Sequence, residues 1–142
     1  MKLPHISLIA VFALTVNAAA DAPKASPQPV RTIFERHDQS GVPGMEIVIG
    51  SAMLPAGGVV GYHTHPGDEV GYVLKGTFTL KIMGQADRRL KAGDSFFIPR
   101  GAVHSVLAAP DGDGGAAVST WIIDKGQPLA TPAPQTEQSQ TH

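Results

Sequence analysis

Cysteine is absent from the 142 residues, which excludes disulfides and thiolate metal sites alike. Charge is scarce as well. Lys, Arg, Asp and Glu make up 16% of the chain and nearly cancel, leaving a formal charge of −1. No basic stripe exists, so no nucleic-acid partner is expected. Beyond residue 20 no apolar run is long enough to cross a bilayer as a helix, and none carries the 3.6-residue period of an amphipathic helix.

Glycine (16) and proline (12), by contrast, are plentiful and follow no collagen-like repeat. That fits a β-rich domain with many turns and loose ends. The length leaves room for one domain. Met1-Lys2 supplies a positive start, Ile6 to Val16 a short apolar core, and Ala18-Ala19-Ala20 a small-residue cleavage site. Residues 1–20 are therefore expected to be a signal peptide, and the mature chain to be periplasmic or secreted with no membrane span. Loss of Lys2 would shift the formal charge from −1 to −2. Residues 21–30 form a Pro-rich leader. From Gly126 the chain turns Pro-, Thr- and Gln-rich, so 126–142 is expected to be a disordered tail and 31–125 the folded domain.

Within that domain the apolar period is two. Thr77 to Ile82 alternates strictly, with Phe78, Leu80 and Ile82 on one face. Glu46 to Ile49, Ser95 to Ile98 and Val118 to Ile123 are further short β-branched or aromatic runs, separated by Gly, Pro and Asp turn signals. Short strands with regular turns imply an all-β sandwich or barrel. Tyr72, Phe78, Phe96 and Trp121 read as core residues, with a substrate pocket as the alternative.

Six histidines are unequally placed. His5 falls in the signal peptide, His142 ends the tail, and His37 beside Asp38 reads as a surface residue. His63 and His65 are two apart in a strand and project from one face. Pro66-Gly67-Asp68 then bends the chain so that Glu69 can return its carboxylate to that face, and His104 follows the Pro99-Arg100-Gly101 corner. Three imidazoles and a carboxylate suit Mn, Fe, Ni, Cu, Co or Zn and leave open positions on an octahedral ion. A His-x-His pair alone is weak, because alternating histidines also occur on wet strand faces. Ser51, Ser95 and Ser105 lack a nucleophile elbow, and Gly57-Gly58-Val59-Val60-Gly61 lacks the lysine and helix of a phosphate loop.

The wider spacing is more specific. Gly57-x5-His63-x-His65-x3-Glu69-x6-Gly76 resembles the first signature of the cupin superfamily at every fixed position. Gly93-x5-Pro99-x-Gly101-x2-His104 resembles the second; where the family pattern continues to an Asn, Ala108 stands here. The resemblance implies a cupin-type double-stranded β-helix or jelly-roll barrel of about eight strands. It also implies one divalent metal on His63, His65, Glu69 and His104, a small-molecule substrate and a homodimer. Three functions fit. One is an oxygenase similar to the quercetin dioxygenase-like cupins, with Glu69 as catalytic base. The others are a non-redox isomerase or lyase acting on a sugar-acid-like substrate, and a metal- or ligand-binding module without turnover. Export favours Mn, Ni, Cu or Zn over readily oxidised Fe(II).

Overall fold

The computed structural model describes residues 28–135. The expected signal peptide, most of the Pro-rich leader and the last seven residues lie outside them. Ten strands run in the order β1 (Val30–Asp38), β2 (Met45–Leu54), β3 (Val59–Thr64), β4 (Gly67–Lys75), β5 (Thr77–Ile82), β6 (Arg88–Lys91), β7 (Ser95–Ile98), β8 (His104–Ala108), β9 (Gly115–Asp124) and β10 (Thr131–Pro132). They form two five-stranded antiparallel sheets, ordered β1-β2-β9-β4-β7 and β10-β3-β8-β5-β6. The all-β jelly-roll expectation holds. Among the described residues no helix is long and apolar enough to cross a membrane.

Alternation does the sorting. Along β5, Phe78, Leu80 and Ile82 are buried and the intervening residues only partly so. Along β9, Ser119, Trp121 and Ile123 turn inward while Val118, Thr120 and Ile122 face out. The inner faces meet in one apolar cluster of Leu54, Val73, Phe78, Leu80, Ile82, Leu90, Ile98 and Ala108. Ala108 is wholly buried there, so the position where the family pattern carries Asn is here a site for an apolar side chain. Truncating a residue such as Leu80 in this core would cost about 2–5 kcal/mol. Val48, Trp121 and Ile123 form a second, smaller cluster. Tyr72 departs from the expected packing: it sits on the outer face of its sheet, nearly half exposed.

Two glycines permit close approaches. Gly76 adopts φ +80°, and a Cβ there would lie 2.3 Å from the Gly114 carbonyl oxygen. Gly67 opens β4 where the chain leaves one sheet for the other. A Cβ there would meet the Ile122 oxygen at 1.9 Å, so only glycine lets the crossing strand lie against β9.

The chain does not loosen at Gly126 as its composition suggests. Leu129 packs on the Val48–Trp121–Ile123 cluster, Thr131 and Pro132 pair with Thr64 and His63, and the Ala133 amide donates to the Tyr62 carbonyl at 2.9 Å. Composition misses this for a physical reason. The open edge of β3 offers backbone partners to any extended segment, and one large apolar side chain suffices to seat it. The docked segment extends the domain to about residue 135.

Candidate metal centre

Seven polar or charged residues are buried among the described ones, and four of them are His63, His65, Glu69 and His104. Burying so many polar groups in one place costs desolvation even when each is hydrogen-bonded, which points to a functional cluster. His63 lies directly across from His104 in the β3–β8 pair, while Glu69 on β4 pairs with Trp121 and Ile98 in the opposite sheet. The Thr64 to Gly67 crossing carries the chain between sheets, so residues only six apart approach the site from both walls.

A bulge sets the aim. Between β3 and β8 the pairing passes from Val60↔Val106 to His63↔His104, three residues on one strand against two on the other. Period-two alternation would put Val60 and His63 on opposite faces. The extra residue brings both into the same cavity, a common use of bulges beside active sites. The Pro99-Arg100-Gly101 corner is tied to the same region. The Gly101 amide donates to the His65 carbonyl at 3.1 Å and the Arg100 amide to Asp68 Oδ1 at 2.8 Å.

Each imidazole is oriented from behind by a main-chain carbonyl. Nδ1 of His63 meets the Gly61 oxygen at 2.8 Å, Nδ1 of His104 the Ala102 oxygen at 2.9 Å, and Nδ1 of His65 the Leu129 oxygen at 2.5 Å. Carbonyls only accept, so each Nδ1 carries the proton and each Nε2 is turned inward with its lone pair. One ring nitrogen from each of the three histidines lies within 4.8 Å of the others. Glu69 Oε2 stands 2.9 Å from His65 Nε2 and 3.7 Å from His104 Nε2. His65 thus has an acceptor at both nitrogens, and a neutral imidazole has one N–H to give. A metal ion shared by Nε2 and the carboxylate would satisfy both groups, as would a proton between them. The Trp121 indole N–H also reaches Nε2, at a long 3.3 Å.

The electrostatics agree with this reading. Burial, helped by the nearby His104, pushes His63 down from 6.5 to about 4, against the raising effect of the Gly61 carbonyl. Burial likewise holds His104 below 6.5 although Ala102 and Glu69 pull it up. Both are neutral at pH 7, as metal ligands must be. Burial pushes the Glu69 carboxyl up, but the His65 hydrogen bond and charge, the Ser119 hydroxyl and His104 outweigh it and hold Glu69 below 4.5. Three imidazoles and an ionised carboxylate can hold a divalent metal.

The four expected ligand positions therefore converge. His37, expected on the surface, is exposed and bonds to Glu35. Phe78, Phe96 and Trp121 line the cavity beside the histidines as well as packing in the core. Leu129, Ser119 and Arg31 also belong to the site and were not singled out from sequence. They come from distant elements, and no local motif marks them.

A small antiparallel double-sheet barrel with a buried three-histidine cluster between its walls defines a class. The chain belongs to the cupin family: the cupin domain profile matches residues 50–123. It is 33% identical over 78 residues to germin-like protein subfamily 3 member 3 of Arabidopsis thaliana, covering 51% of this chain and 37% of that protein. The chain spans about two fifths of the length of the curated relatives it matches. Among solved structures, a cupin-like protein from Thermotoga maritima aligns at TM-score 0.58 and 24% identity, over 74% of this chain and 75% of that one. A DMSP lyase from Ruegeria pomeroyi aligns at TM-score 0.58 and 21% identity, over 77% and 54%. Both share the fold.

Proposed function

We propose that this chain is an exported, metal-dependent enzyme acting on a small molecule, with His63, His65, Glu69 and His104 holding one divalent ion. The observation that carries the reading is the convergence of one ring nitrogen from each of three buried histidines, with the Glu69 carboxylate beside two of them. A bound metal would supply Lewis-acid activation and, if redox-active, dioxygen chemistry. The chain's own residues supply the rest. Main-chain carbonyls fix the three tautomers, and the apolar walls keep bulk water out. Glu69 is held ionised, ready to take a proton from a substrate group within its reach. The reaction we favour is an oxygenase of the quercetin dioxygenase-like type. The ionised Glu69 equally serves a non-redox isomerase or lyase, which needs a base but no oxidant.

Elemental analysis of protein from its native compartment, followed by oxygen-electrode assays, tests this. Mn, Fe, Ni or Cu with substrate-dependent oxygen uptake supports the oxygenase. Zn without oxygen uptake assigns the non-redox reading, and protein that takes up no metal sinks both. Export is tested separately, by an N-terminus beginning at or near Asp21 in the mature protein. We also propose a homodimer. On the outer face of one sheet Val70, Tyr72, Leu74 and Phe97 are each about half exposed, an apolar surface suited to a second copy. A monomeric mass by light scattering would overturn that.

A further inference from the structure

We infer that Arg31 is the ligand-recognising residue of this cavity and that the ligand is a short aliphatic monocarboxylate. The inference rests on the metal-enzyme reading for the location of the site. Every residue of β1 is exposed, which is what an edge strand shows when it serves only to cover a sheet. Arg31 does more. It pairs with Ala52, and its side chain joins Ala52 in lining the cavity that holds His63, His65, Glu69 and His104. Its guanidinium carbon lies 5.7 Å from the centre of the Trp121 ring, a cation–π contact that keeps the head group turned inward.

Four of the eight other described cations are held by carboxylates. Arg36 is paired with Glu46, Lys81 with Asp87, Arg100 with Asp124 and Lys125 with Asp38. Among the described residues Arg31 has no carboxylate partner, and the cavity's own acid, Glu69, is engaged by His65, His104 and Ser119. A guanidinium presents a planar fork of donors that matches a carboxylate in two parallel hydrogen bonds. Arg31 is the one Lys or Arg that lines this cavity. One cation without a cradle of amides suits a single carboxylate better than a phosphate dianion. Leu54, Val60, Phe78 and Phe96 give the rest of the lining an apolar surface for a carbon chain. The cavity volume of about 60 Å³ keeps that chain short, since each water needs roughly 10–15 Å³ on the same measure.

The test titrates butyrate, butyramide, oxalate and inorganic phosphate into the full-length, metal-loaded protein by calorimetry, with metal content measured on the same samples. Butyrate should bind. Butyramide, its neutral isostere, should bind at least about tenfold more weakly, and Arg31→Gln should cost butyrate about tenfold or more without changing metal content. Equal binding of butyramide, tighter binding of oxalate or phosphate, an unaffected Arg31→Gln variant, or no binding of any acid from acetate to hexanoate would each overturn the inference. A wild-type protein that takes up no metal overturns the proposed function instead. Metal retained without carboxylate selectivity overturns only the role of Arg31.

Discussion

His65 donates its Nδ1 proton to the main-chain carbonyl of Leu129, 64 residues further along the chain. That bond makes the C-terminal segment part of the site, because it fixes which nitrogen of His65 faces inward. Outer-shell partners of this kind typically hold about 10–100-fold of metal affinity. Removing residues 128–142 should therefore weaken metal binding by that factor. It should also lower the melting temperature, by about 4–8 °C for each kcal/mol lost from the Leu129 packing and the β3–β10 pairing. Removing only residues 136–142 should change neither. A full-affinity protein lacking 128–142 would show that the tail merely lies on the barrel.

The ligand set makes a harsher demand. Losing an outer-shell partner costs up to about a hundredfold, so losing a ligand should cost more. His63→Ala, His65→Ala and His104→Ala should each lose over about a hundredfold in metal affinity by competition with a chelating dye. His37→Ala, exposed and bonded to Glu35, should lose none. If all three ligand variants bind as tightly as the wild type, the centre does not exist.

Much of this was legible in the sequence because it is local. The strict alternation of Thr77 to Ile82 predicted the buried face of β5, and His63-x-His65-x3-Glu69 predicted three site members across one corner. His104 needed the second signature, since nothing within a few residues of it says what it faces. Other features are non-local and were not legible. The bulge after Val60 is visible only in the pairing with β8, and Leu129 lies in a segment whose composition argues for disorder. β1 carries no apolar alternation because all nine of its residues are exposed, so neither the strand nor the inward turn of Arg31 leaves a periodic trace.

Gly67 sits where a side chain has no room. A Cβ would lie 1.9 Å from the Ile122 oxygen and 2.6 Å from the Ile123 Cα, both main-chain atoms that cannot rotate aside. Gly67→Ala should therefore destabilise by about 2 kcal/mol or more, in the range of overpacked core positions. Because Glu69 follows two residues later, metal affinity should fall with it. A neutral effect in chemical denaturation would mean that the crossing is looser than its contacts imply.

The folded protein refuses protons that the unfolded chain accepts. His63 is held at about 4 and His104 below 6.5, against an ordinary histidine value of 6.5. Both contribute stability that is present above pH 6.5 and is lost as pH falls towards their folded values. Glu69, held below 4.5, adds stability that is present above 4.5 and disappears as pH falls further. All three act in one direction. The melting temperature of chelator-stripped protein should be level above about pH 7 and decline steadily from 6.5 to 4. His63→Gln should flatten the upper part of that decline. A stability maximum near pH 5 would contradict the burial of neutral imidazoles.

Glu69→Gln separates holding the metal from moving a proton. The amide keeps the shape and one weak oxygen donor but gives up the charge and the basicity. It also relieves the conflict at His65, because its NH2 group can donate to Nε2, which lies 2.9 Å from the carboxylate oxygen in the wild type. The variant should therefore be at least as stable as the wild type without metal, and it should bind metal more weakly, by at least about tenfold. Activity measured at saturating metal then decides the role of the carboxylate. Turnover lost with the site filled makes Glu69 the base. Turnover restored in full by added metal makes it a ligand alone. A metal-free variant less stable than the wild type would mean that the carboxylate contributes more to the empty site than its close approach to His65 costs.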